Sequence, residues 1–191
     1  MPADLPTVFC ASAAKWEAWL DEHHGGAPGV WLKIAKAGSG VASVTIGEAL
    51  DVAICFGWID GQRAGHDDEH YLQKYTPRTR RSRWSKLNRD RAVRLIDEGR
   101  MRPAGLAEVQ RAQADGRWDD AYDSPSTITV PDDLQRALDA NPAALACFGT
   151  LNSLNRYAVL YGIQNAKRPE TRVRRIEKFV TMLAEGRKPY P

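Results

Sequence analysis

Asp60 stands where an acid is costly. It lies between Ile59 and Gly61 in Ile54-Cys-Phe-Gly-Trp-Ile-Asp-Gly-Gln-Arg63, directly after an apolar helical stripe. A carboxylate taken out of water needs a cation or hydrogen-bond donors, or it gives up its charge. In extended backbone Trp58, Asp60 and Gln62 share one face, and Ile59 and Gly61 the other. That grouping suits a pocket in which Trp58 is an apolar wall, Gln62 a polar anchor, and Asp60 an anionic contact or a general acid–base. Trp84, Ser85 and Asn88 follow Arg78 along the same stretch. Trp58, Asp60, Gln62, Arg78, Trp84, Ser85 and Asn88 are thus the candidate ligand-binding residues, and Asp60 is the candidate catalytic residue. The competing reading is a salt bridge from Asp60 to Arg78 that pins a hairpin to the next helix. No Ser/His/Asp order and no activated thiol is recognisable.

A second constellation is basic. Lys74 to Arg94 holds nine Lys/Arg against one acid, and Lys167 to Pro191 holds eight against three. The whole chain carries only +3, so the remainder is strongly acidic. Arginines interleaved with Tyr75 and Trp84 are able to grip phosphates and stack on bases, so the Arg78 to Arg94 face is a candidate nucleic-acid surface. Acids elsewhere in the chain are equally available as its partners. No zinc finger, RNA-recognition motif or helix-turn-helix pattern accompanies it.

Other tempting groups read as structure. His23 and His24 are adjacent, point in different directions on a helix, and suit its C-terminal carbonyls better than a metal. Asp67, Asp68, Glu69 and His70 form the charged tip of a hairpin, and no metal or cofactor is expected there. Gly38-Ser-Gly40 lacks the Gly-Lys-Ser/Thr ending of a phosphate loop. Cys10, Cys55 and Cys147 are odd in number and far apart, which argues for a reducing compartment and against a disulfide framework. Cys55 reads as a small packing residue.

The elements that must position these residues follow from periodicity. Residues 1–8, with two prolines, read as a loose arm. Ser12 caps a helix over Ala13 to His24 with Trp16, Trp19 and Leu20 on one face. Val30 to Lys36 alternates as a strand. Thr45 and Glu48 form a capping box for a helix ending near Phe56. Gly57 to Arg63 and His70 to Thr76 make a hairpin. Trp84 to Glu98 is a helix with Ala92, Leu95 and Ile96 inward, and Pro103 to Asp115 is another. A Ser/Pro/Thr linker follows. Beyond it come helices over Pro131 to Ala140, Pro142 to Gly149, Leu151 to Ala166 and Pro169 to Glu185. Leu151, Leu154, Ala158 and Tyr161 line the third of these, and Val173, Ile176, Val180 and Leu183 the fourth. The expected fold is α+β: a small antiparallel sheet packed on helices over residues 1–123, a linker over 124–130, and a helical module over 131–191. The 191 residues and 43% hydrophobic content fit this.

The motifs together resemble a known family. Ala53-Ile-Cys-Phe-Gly-Trp-Ile-Asp-Gly-Gln62, Tyr71-Leu-Gln-Lys-Tyr-Thr-Pro-Arg78, Trp84-Ser-Lys-Leu-Asn88, Gly99-Arg-Met-Arg-Pro-Ala-Gly-Leu106 and Gly116-Arg-Trp-Asp-Asp-Ala-Tyr122 resemble the YdeI/OmpD-associated family. Ala166-Lys-Arg-Pro-Glu-Thr-Arg-Val-Arg-Arg-Ile176 is similar to its helical module. The resemblance spans nearly the whole chain and departs at the acidic tip, Gly65 to His70. By motif it carries over Trp58, Asp60, Gly61, Gln62, Thr76, Pro77, Arg78, Trp84, Ser85 and Asn88. It implies a bacterial, cytosolic, bacteriocin-protection or stress-response protein, associated with tolerance of cationic antimicrobial peptides and with an outer-membrane porin. It implies no reaction. The first expectation is therefore a protective protein that binds a small molecule or peptide in the Trp58-Asp60-Gln62 pocket. The alternatives are an enzyme with Asp60 as general acid–base, and nucleic-acid binding by the Arg78 to Arg94 face. No membrane insertion and no signal peptide are expected, and the cytoplasm is the expected location.

Overall fold

The computed structural model describes residues 5–191. The chain forms two compact units. The first runs to Trp84 and resumes over Asn88–Asp120; the second is Ser85–Leu87 with Ala121–Pro191.

The first unit is α+β. Its strands are β1 (Thr7–Phe9), β2 (Val30–Ala35), β3 (Trp58–Gly65) and β4 (His70–Pro77), in spatial order β1-β2-β4-β3. β1 lies parallel to β2; the β2–β4 and β4–β3 pairs are antiparallel. The sheet is thus mixed, where alternation alone predicted an antiparallel one. Part of the expected N-terminal arm is a strand. Its three residues are too few to show a period, and pairing with Trp31 to Lys33 holds them. Met1 to Asp4 lie outside the described residues.

Helix α1 (Ala13–His23) starts at Ser12, whose hydroxyl accepts from the Lys15 N–H. It ends with both histidines bonding backward: His23 Nδ1 meets the Trp19 carbonyl and His24 Nδ1 the Leu20 carbonyl, each at 2.8 Å. Helix α2 (Ile46–Cys55) carries the full capping box of Thr45 and Glu48. The buried Trp16 indole donates to the Ala49 carbonyl at 3.0 Å and ties α1 to α2. Val30, Leu32, Ile34 and Tyr75 lie on the buried face of the sheet, and Tyr75 packs 5.5 Å from Trp16.

Gly57 ends α2 with φ +74, a region that favours glycine. Helix α4 (Pro103–Ala114) then comes unusually close. A Cβ on Gly105 would fall on the main chain of Ile54 and Cys55. Helix α3 spans Lys86–Asp97, starting two residues after Trp84. Ala92 and Leu95 are buried as expected, but Ile96 is exposed.

The second unit is helical: α5 (Asp132–Asp139), α6 (Pro142–Gly149), α7 (Ser153–Gln164) and α8 (Pro169–Ala184). Its core is Leu134, Leu138, Phe148, Val159, Leu160, Ile163, Ile176 and Leu183. The faces of α7 and α8 differ from the expected stripes. Leu154 and Val173 are exposed, whereas polar Asn155 is buried. Asn155 is held by the α7 cap, Asn152, and accepts the Tyr190 N–H at 2.8 Å. The Ser/Pro/Thr stretch is docked on this unit: Ile128 and Val130 pack against its core, and Asp123 bonds Gln164.

Candidate functional site on the first unit

The hairpin β3–β4 positions Asp60, and its register decides what Asp60 sees. Asp60 pairs with Tyr75, but the next pair is Arg63 with Gln73, so one extra residue is inserted on β3. This β-bulge shifts the alternation of the strand. Arg63, rather than Gln62, comes onto the face shared by Asp60, Tyr75, Gln73 and Tyr71. The expected set Trp58, Asp60 and Gln62 on one face is thus broken at its last member, and Gln62 is exposed. The bulge is held from the partner strand. The buried Gln73 amide donates to the Gly61 carbonyl at 2.9 Å and lies 3.3 Å from that of Gln62.

Asp60 is half-buried, and its side chain has no hydrogen-bond or ion-pair partner among the described residues. The salt bridge to Arg78 weighed from the sequence is not formed. Opposite it, the Tyr75 hydroxyl is fully buried and also has no partner among the described residues. Burial, reinforced by the negative charge of Asp60, holds the Tyr75 phenol far above its ordinary pKa. It therefore serves as a neutral O–H.

The other expected site residues divide between places. Trp58 is buried; its indole faces the His24 carbonyl at 3.3 Å and meets Trp19 edge-on at 6.1 Å. Arg78 and Trp84 are brought together, with the guanidinium 3.6 Å over the indole ring. That is a cation–π stack in a desolvated setting. Arg78 also fixes the corner after β4: its N–H donates to the Gly57 carbonyl and its Nη1 to the Arg83 carbonyl. Trp84 packs edge-on against Trp118 at 5.0 Å. Asn88 is buried on α3, and Ser85 is buried in the second unit, bridged to Tyr122.

Part of the basic run is paired with acids within the first unit. Arg91 and Arg94 both reach Asp51 at 2.6 Å, and Arg94 also reaches Glu98. Asp51 was missed as a partner because it lies on α2, 40 residues before Arg91. The available signal was an acid in the middle of α2, beyond the capping Glu48 and among apolar residues. The acidic tip is likewise a structural hub. Asp67 accepts from the backbone N–H groups of Glu69 and His70, bonds the His70 ring at 2.8 Å, and pairs with Lys33 at 3.2 Å. Burial opposes its ionisation, yet these bonds outweigh that and hold its carboxyl far below the usual range. Among the described residues, no group of three or more His, Cys, Asp or Glu is arranged to hold a metal ion.

Two cavities of the first unit are lined by residues outside the expected set. One of about 250 Å³ lies between Glu17, Cys55, Arg100 and Arg102, with an Arg102–Glu17 ion pair at 2.7 Å. Burial pushes the Cys55 thiol up to about 11. Thiolate chemistry at neutral pH is thereby disfavoured. The other, about 460 Å³, opens beside Arg63 and Tyr71.

The family comparisons divide the chain in the same order as its two folds. Residues 8–108 match a family described as a domain of unknown function, DUF8412. That span exceeds half of the 191 residues. The chain belongs to the DUF8412 family. Residues 127–186 match a family described as bacteriocin-protection, YdeI or OmpD-associated. The YdeI/OmpD-associated resemblance is thus found in the helical C-terminal stretch. The motifs between Ala53 and Leu106, read above as part of the same resemblance, fall in the DUF8412 span, together with Asp60, Arg63 and Tyr75. No curated protein and no solved structure matches the chain. No helix among the described residues is long and apolar enough to cross a membrane.

Proposed function

We propose that this DUF8412 protein has a bacterial protection or stress-related role, exercised by binding a small molecule or peptide on its first unit, with Asp60 reading the ligand. The observation that carries the binding reading is the buried Tyr75 hydroxyl, which has no partner among the described residues, with the half-buried Asp60 opposite it on β3. Polar groups removed from water without partners are costly, and sites that bind hydrogen-bonding ligands retain them. A ligand group rich in N–H, such as an ammonium or amide, satisfies the carboxylate. Exposed Gln62, turned off the Asp60 face by the bulge, is left out of this contact. Trp58, Arg78, Trp84 and Asn88 act in this reading by holding β3, the corner after β4 and α3. The match at residues 127–186 supports the protective role. The free cysteines Cys10, Cys55 and Cys147 suit a reducing, cytoplasmic location. The nucleic-acid alternative is weakened by the pairing of Arg91 and Arg94 to Asp51.

The test is survival of a sensitive bacterium expressing wild-type protein or Asp60→Asn, challenged with the cationic peptide protamine. The variant must be checked for equal abundance and melting temperature. Loss of survival in the folded variant supports the reading. Equal survival removes Asp60 from the site, and no benefit from wild type removes protection against this peptide class.

A further inference from the structure

The cleft beside Arg63 has the make-up of a ligand site of a different kind. Its volume of about 460 Å³ falls in the range that holds small molecules. Ile34, Val41, Val44, Ile46 and the Tyr71 ring give it apolar walls. Its polar wall groups are mostly occupied. The Ser43 hydroxyl accepts from the Ala35 N–H at 2.9 Å and donates to the Val44 carbonyl at 3.1 Å. Thr45 is engaged with Glu48 through both its N–H and its hydroxyl. Lys36 donates to the Asp67 carbonyl at 2.9 Å and has no carboxylate partner among the described residues.

Arg63 is the exception that gives the cleft a chemistry. Its guanidinium stacks 4.4 Å over the Tyr71 ring, and its Nε faces the Gln73 amide oxygen at 3.5 Å. It has no acidic partner among the described residues, unlike Arg91, Arg94, Arg102, Arg117 and Arg172. The stack and the bulge hold the planar fork at the wall of the cleft, and a fixed fork matches a carboxylate through two parallel N–H···O bonds. Lys36 adds positive potential at the same wall.

We infer that this cleft binds a small organic carboxylate with an apolar body, its carboxylate on Arg63 and its body between Tyr71 and the Ile34–Val44 wall. Asp60 takes no part in it, so the inference stands or falls separately from the proposed reading of Asp60. The apolar walls select the body, and Arg63 selects the charge. A bare inorganic anion leaves the walls unfilled, and a neutral amide leaves the guanidinium unpaired.

The experiment is a titration of the isotopically labelled full chain with octanoate, octanamide and inorganic phosphate, followed by backbone amide NMR. Octanoate is expected to shift the signals of residues 34–46, 63 and 71 saturably. Arg63→Gln is expected to weaken this about tenfold or more, and Arg63→Lys less, because charge survives without the fork. Val41→Trp, which fills the cleft from a loop, is expected to abolish it. Equal binding of octanamide, equal binding of phosphate, an unchanged Arg63→Gln affinity, or no saturation by about 10 mM octanoate each overturns the inference.

Discussion

Gly105→Ala sets two opposed effects against each other, and the structure decides the sign. In a helix, alanine in place of glycine stabilises by up to roughly 1 kcal/mol, and by less in the first turn where Gly105 lies, because glycine loses more backbone entropy. On α4, however, the new methyl would fall on the Cys55 carbonyl group and the Ile54 oxygen. These are main-chain atoms of α2 and cannot swing aside as a side chain does. Relief requires α4 to back away from α2, loosening the packing of Val109 and Ala112, both buried on the same helix. Overpacking of this kind costs roughly 1–3 kcal/mol, and contact with rigid backbone belongs at the upper end. The net expectation is a loss of about 1–2 kcal/mol, or a fall in melting temperature of roughly 2–8 °C for a chain of this size. Gly47→Ala is the matched control. Gly47 is also helical, on α2, but a Cβ there meets nothing within 4 Å. It should gain up to about 1 kcal/mol from the same entropy term. Urea denaturation of both variants, followed by tryptophan fluorescence, makes the comparison. If Gly105→Ala is neutral or stabilising, the close approach of α4 to α2 is not a rigid constraint, and the reasoning fails.

Two further outcomes are expected. Tyr75→Phe should stabilise the first unit by about 1–3 kcal/mol, since it removes a buried hydroxyl with no partner among the described residues. Destabilisation in urea would show that the hydroxyl is satisfied in solution. Acid should weaken the second unit through Asp133 and Asp123. Asp133 is held below its ordinary pKa by its hydrogen bond from Arg172; for Asp123, burial pushes upward but the bonds from Lys86 and Gln164 prevail. A depressed carboxylate contributes stability above its unfolded pKa, near 4, and loses it as pH falls through the lower folded value. Asp133→Asn should therefore flatten the fall in melting temperature below about pH 4, and an unchanged slope would remove Asp133 as a cause.

What the sequence determined was local. The Ser12 cap, the Thr45–Glu48 capping box, the helix end near Phe56 and the strand alternation from Val30 depend on neighbours within a few residues, so their spacing reports them. The α+β class and the helical C-terminal module follow from the same periodicities. Tertiary structure decided whatever required a partner distant in sequence. Thr7–Phe9 is a strand because β2 lies beside it. Asp51 pairs with both Arg91 and Arg94 because tertiary folding brings α2 within their reach, and no spacing rule links residues 40 apart. The face of α7 differs from the expected stripe: Val159, Leu160 and Ile163 turn inward with Asn155, whose side-chain oxygen accepts the Tyr190 N–H, so a polar residue occupies a position that hydrophobicity assigns outward. Asp60 itself was legible as an acid set beside an apolar stretch, and the structure leaves it half-buried. Its surroundings were not, because one Gln73 side chain on the partner strand holds a bulge that exchanges Gln62 for Arg63. A single inserted residue reverses every later side chain of a strand, and only pairing across the sheet specifies it.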